Sequence, residues 1–364
     1  MNENHKGLAN GLALQAATRR ADGPAAEQIL AAMSKEPAGE MFNHVQYAVQ
    51  ESANVHRVVL AWRAWLAVDL VGEQFAQTLL RQSVRFCIDS SQYRINRKRP
   101  DPELWTLLPK LLDENKLVGH TAGQRPADDK WIEDMAWTIF SSQPAQAADA
   151  AAQALAEGFK PDAVGGAFSV AANLLLLHDP GRSKAANGDK IKGSVHGDSI
   201  GVHASDAGNA WRNISRVSNN RNMYASLILG AYHTAGRMKH VKRERWPLKL
   251  KAVEGTRDPA ELLTLAKQGV EQRDQALAGA AVQRYGDLGG EQQPMFNLLL
   301  SYATSEDGAL HAEKYFRTVT EEFASTRDSM RWRQLVGLAR VSASEFGNKS
   351  PGYAEACDLL RIET

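Results

Sequence analysis

Histidine carries the most legible chemistry in this chain: ten are present, and five of them fall between His178 and His240. The imidazole is the commonest metal ligand and the commonest general acid or base, because it changes charge near neutral pH. The densest polar stretch is KGSVHGDSIGVHASDAGNAWRNISRVSNNRN, residues 192–222. Val195, Ile200, Val202, Ala207, Ala210, Trp211 and Ile214 give it an apolar backing. On a helix beginning near His203, one face carries His203, Asp206, Ala210 and Asn213. His203 and Asp206, three residues apart, then reach one space. Asp206 can hold the ring by its second nitrogen, as carboxylates behind metal-bound imidazoles do.

The other histidines divide by spacing. His196 and His203 would lie about 10.5 Å apart along a continuous helix. That is too far for bonds of about 2.1 Å to one ion. Gly197 and Gly201 argue against helix between them, so a curled loop can let both rings converge. His233 and His240 share this spacing in MYASLILGAYHTAGRMKH, which reads as helix, and so are not co-ligands. His233 follows an apolar run and is expected to be buried. His44 sits among Phe42, Val45 and Val49, and His56 in the first turn of a long helix, where the dipole favours the neutral ring. The expected site therefore holds His203 with at least two of His44, His56, His196 and His233 as metal ligands. Asp206 and Asp198 are its candidate catalytic carboxylates. His5, His120 and His311 read as ordinary hydrogen-bonded histidines.

GDSIG, with Gly197, Ser199 and Gly201, has the shape of a nucleophile elbow. That motif needs a strand before it, and no α/β alternation is visible. A metal-independent hydrolase or lyase using Asp198, His203 or Ser199 remains an alternative. No phosphate loop, dinucleotide fingerprint or HExxH motif occurs. Trp62, Trp65, Trp131 and Trp137 stand at helical spacings that suit a core.

The elements that must position these residues are helices. Apolar residues recur every three or four positions at Val55, Val58, Val59, Trp62, Leu66 and Leu70, after a plausible cap at Asn54. The run continues without an evident stop to about Ile88. Helices are further predicted over 131–140, 145–158, 162–177, 259–268, 272–285, 294–303, 310–323 and 330–346. The expected fold is all-α, with about fifteen helices, as an irregular array of antiparallel α-hairpins packed into one or two helical domains. A domain with the histidine site is expected over 1–250, and a helical-hairpin region packed on it over 251–364. The basic run KHVKRERWPLKLK, residues 239–251, marks that boundary and reads as a solvated face. Residues 179–201 form a long polar loop, the kind that is functional or disordered.

Composition bounds the rest. Hydrophobic residues are 43% and charged residues 23% of 364, which suits a globular chain large enough to fold without disulfide or metal. A net charge of +1 argues against a general nucleic-acid binder. Cys87 and Cys357 are too few for a disulfide framework or a cysteine-rich zinc site. No membrane span and no secretory signal are expected, and the expected compartment is the cytoplasm.

SIGVHASDAGNAWR, residues 199–212, resembles a stretch of the questin oxidase-like proteins, and LGAYHTAGR, residues 229–237, is a second point of likeness. These are mostly helical proteins that include non-haem iron oxygenases with several histidine ligands, in one case with a carboxylated lysine. The resemblance covers about a fifth of the chain and implies His203 as an iron ligand, with His233 and an early histidine. This chain is shorter, and no counterpart of the lysine ligand is placed. The resulting expectation is a metal-dependent oxidoreductase or oxygenase, with iron first and zinc or another divalent transition metal as the alternative. Its partners would be a small organic substrate and dioxygen. A non-catalytic helical-array interaction protein is the other alternative.

Overall fold

The computed structural model describes residues 3–119, 121–184, 191–195, 199–241, 250–306 and 311–362. It is 75% helical, and among the described residues it has eighteen α-helices and no strand, so the all-α expectation holds. In chain order these are α1 (Glu3–Arg19), α2 (Gly23–Ala32), α3 (Ala38–Val49), α4 (Val55–Val71), α5 (Ala76–Asn96), α6 (Leu104–Glu114), α7 (Asp129–Ser141), α8 (Pro144–Ala156) and α9 (Pro161–Leu177). Then come α10 (Ile200–Val217), α11 (Asn220–Thr234), α12 (Lys251–Glu254), α13 (Pro259–Glu271), α14 (Gln275–Asp287), α15 (Gln292–Ser305), α16 (His311–Ser325), α17 (Trp332–Glu345) and α18 (Tyr353–Leu360). Among the described residues no helix is long and apolar enough to cross a membrane.

Local chemistry sets the ends of these helices. Asn54 caps α4 by accepting the Arg57 N–H, Asp128 caps α7 through Trp131, and Asp274 caps α14 through Ala276 and Leu277. Proline opens α8 and α13, where its missing N–H costs nothing. The run predicted as one helix from Asn54 is two. Gly72 takes φ +104, which a side chain would resist, and the chain turns there before α5. The apolar spacing continues across the break, so periodicity alone does not reveal it.

The chain divides into two compact units, each discontinuous in sequence: Met1–Phe168 with Ala207–Ala235, and Ser169–Asp206 with Gly236–Thr364. Two of the three divisions fall inside α9 and α10, and the third follows α11. In the first unit α1 packs on α2 and α3, α4 on α5, and α8 on α11, around fully buried Leu14, Leu30, Phe42, Val58 and Val84. In the second, α13, α14 and α17 pack on one another and α16 packs on α17. Their core includes Leu262, Ala281, Leu299, Val319 and Leu335.

The neck of the 179–201 loop is tied down within the second unit. Arg182 N–H donates to Ser194 O at 3.0 Å and Gly193 N–H to Arg182 O at 2.8 Å. Ser344 Oγ accepts the Val195 N–H at 2.9 Å. The buried Arg340 guanidinium donates to the carbonyls of Leu176 and Asp179 at the end of α9. Residues 185–190 and 196–198 of this loop lie outside the described residues.

Two contacts yield tests. A Cβ on Gly201 would fall 2.6 Å from both N and Cα of Leu176, so this glycine lets α10 lie directly on the α9 backbone. Gly201→Ala should cost about 1–3 kcal/mol, read as a lower urea midpoint; an unchanged midpoint would deny the contact. In the first unit, Asp162 accepts from both Arg212 (3.2 Å) and Arg216 (2.6 Å). Burial raises its pKa, but the two guanidinium groups outweigh that and hold it below the ordinary aspartate value. A depressed carboxylate stabilises above its unfolded pKa and loses that contribution as pH falls through the folded one. Asp162→Asn should therefore lower stability at neutral pH. The gap to wild type should close as pH drops below about 3.9; a gap independent of pH would refute the assignment.

Candidate functional site

Ser199 starts the site. Its Oγ accepts the Val202 N–H at 3.2 Å and its carbonyl accepts the His203 N–H at 3.1 Å, so it is the N-cap of α10. One turn inside the helix stand His203 and Asp206, three residues apart on one face. They belong to the second unit, and α16 of the same unit meets them. His203 Nε2 and His311 Nε2 lie 3.4 Å apart, with ring centroids 5.5 Å apart and planes at 55°. Lys314 Nζ lies 2.7 Å from Asp206 Oδ2, and Thr318 Oγ1 donates to Asp206 Oδ1 at 2.8 Å. The partner numbers rise together, 203 with 311 and 206 with 314 and 318. The two helices therefore run in the same direction past each other.

Burial and charge are graded across this contact. Both imidazoles are half-buried, whereas the Asp206 side chain is 1% exposed and that of Lys314 is 21% exposed. Burial pushes the Asp206 carboxyl above the ordinary range, opposed by the Lys314 ammonium, the Thr318 hydrogen bond and the His311 ring. Tyr315, fully buried on the next residue of α16, is held in its protonated form by burial and by Asp206. Further along the same inward stripe, buried Glu322 accepts a hydrogen bond from Ser169. One stripe of α16 thus carries His311, Tyr315, Thr318 and Glu322 beside the buried apolar Ala312, Val319 and Phe323, so polar groups enter a face that would ordinarily be apolar.

The other expected ligands have other surroundings. His44, in the first unit, places Nε2 2.9 Å from Glu36 Oε2. His56 is exposed in the first turn of α4. His233 is buried as its apolar run predicts, and its Nδ1 accepts the Trp211 indole N–H at 3.3 Å. Because indole can only donate, this bond sets the neutral ring with its proton on Nε2. His196 and Asp198 lie outside the described residues, as does His120. The structure therefore joins His203 to His311, a residue that sequence spacing did not single out. Its signal lay in α16: at i, i+4, i+7 and i+11, positions that periodicity assigns to the core, the residues are polar.

Two imidazole nitrogens facing each other can share a proton, one ring donating from Nε2 and the other accepting, or can both bind one metal ion. Among the described residues, no group of three or more His, Cys, Asp or Glu is placed to hold a metal ion. The described donor set is therefore a pair of imidazoles beside a buried carboxylate that is already engaged. Compared with protein-family models, curated proteins and solved structures, the chain gives no match.

The capping role of Ser199 separates it from a nucleophile. Ser199→Ala should lower stability by about 1 kcal/mol. The wild-type protein should not be labelled at Ser199 by a fluorophosphonate probe, because no strand precedes this serine among the described residues. Labelling that disappears in the variant would restore the hydrolase reading.

Proposed function

We propose that this chain is a metal-dependent oxidoreductase acting on a small organic molecule, with His203 and His311 as its imidazole ligands. The observation that carries the reading is the 3.4 Å approach of their Nε2 atoms. Two bonds of about 2.1 Å subtend about 3.4 Å at the tetrahedral angle and about 3.0 Å at a right angle. The rings thus stand at ligand spacing with nothing moved. Imidazole suits zinc, copper, iron and nickel. Iron is the first choice on the likeness of residues 199–212 to the questin oxidase-like proteins, and it would supply the activation of dioxygen. The tetrahedral spacing supports a second reading, a zinc site for metal-assisted hydrolysis.

The chain's own residues bind and orient. His203 and His311 each offer Nε2, and their half-buried rings are reachable by a small substrate. Asp206 remains with Lys314 and Thr318 and so acts by position. The neutral Tyr315 hydroxyl adds a donor inside the same packed region.

Metal analysis of the purified protein, followed by calorimetric titration with Fe(II) under nitrogen and with Zn(II), tests this. One equivalent should bind. His203→Ala and His311→Ala should each abolish that binding while helix content by circular dichroism stays at the wild-type level. Dioxygen uptake by the iron-loaded protein would mark the oxidoreductase. A wild-type protein that takes up neither metal, or variants that bind as wild type does, would end the proposal.

A further inference from the structure

The His203–His311 contact joins the first turns of two helices. Each ring sits near the start of its helix, with Ser199 capping α10 and His311 opening α16. Helix starts fray unless fixed by packing or capping. One turn further along both helices, Lys314 meets Asp206 at 2.7 Å and Thr318 donates to the other Asp206 oxygen at 2.8 Å. His203 precedes Asp206 by three residues and His311 precedes Lys314 by three, so the two pairings are successive rungs between the same two helices. The second rung lies deeper, its carboxylate almost fully buried and its two oxygens met by different partners. A buried carboxylate needs those partners, and meeting that need fixes how the two helices lie on each other.

We propose that the Asp206–Lys314 ion pair, secured by Thr318, is the positioning device that sets the spacing of the His203 and His311 rings. Lys314 and Thr318 are positioning residues, acting through Asp206. A change in the rung shifts α16 along or around α10 and carries His311 Nε2 away from ligand distance. Its consequence for metal affinity rests on the metal reading above; the ring spacing itself does not.

The test uses the full chain with histidine-selective 13C labelling. The double variant Asp206→Asn/Lys314→Met removes both charges at nearly constant volume, so no uncompensated charge is left inside. Lys314→Arg is the conservative comparison. In wild type without metal, the ring protons of His203 and His311 should show a mutual nuclear Overhauser effect. The double variant should keep its helix content and lose this effect, and Lys314→Arg should retain it. Zn(II) affinity should fall about 10- to 100-fold in the double variant, as when partners behind metal ligands are removed, and stay near wild type in Lys314→Arg. If wild type binds no metal, the metal reading falls while the ring contact still decides the clamp. A double variant that folds and keeps the ring contact overturns it. Should the double variant not fold, Thr318→Val is read in the same way: loss of the contact in a folded protein supports the clamp, and full retention overturns it.

Discussion

The buried carboxylate of Asp206 is the constraint from which the second unit's polar interior follows. Leaving such a charge unpaired inside a protein costs on the order of several kcal/mol. Lys314 and Thr318 answer that cost, one oxygen each. Both stand on α16, so satisfying Asp206 fixes the register of α16 on α10. Register on parallel helices is not a local property. Once one rung is set, the residues a turn earlier are set as well, and His311 arrives opposite His203. The same helix face then presents Tyr315 to the interior and Glu322 to Ser169. Each of these groups would be expensive alone. Together they make a face of α16 that cannot be exchanged for an apolar one without leaving Asp206 unmet.

Most of the helices could be read from the chain because their signals are local. The Asn54 cap, the proline starts at Pro144 and Pro259, and three-and-four spacing all act within one or two turns. Gly72 shows the limit. Glycine inside an amphipathic pattern is compatible with continued helix or with a break, and its φ of +104 is decided by what the flanking helices pack against. Gly201 erred the other way. It read as loop freedom between His196 and His203, yet it is helical, and its missing side chain serves the close approach of α10 to Leu176. A glycine can provide conformational freedom or proximity, and the sequence does not distinguish them.

The candidate site was half legible. His203 and Asp206 stand on one helix, so their shared face follows from spacing alone. His311 lies more than a hundred positions away, and no periodicity links it to His203. The demand of Asp206 for partners on α16 links the two helices, and the polar stripe of α16 is the trace that demand leaves in the sequence. Reading polar residues at core positions as a search image, rather than counting histidines along the chain, would have directed attention to His311.

Burial also failed to discriminate among imidazoles, because what matters to a metal is a lone pair and not depth. His233 is buried as its apolar run implied, but Trp211 donates to its Nδ1, and an indole cannot reverse that role. The proton is thereby assigned to Nε2, and freeing a nitrogen requires the ring to break its bond with Trp211. His44 is buried too, yet a carboxylate oxygen of Glu36 already stands 2.9 Å from its Nε2. His203 and His311 differ in kind. Each faces another imidazole, a group that can donate or accept with equal ease, so neither ring is committed to a proton at Nε2 by its partner. Two facing imidazoles can share one proton or, in the reading proposed above, one metal ion, and both rings are half-buried.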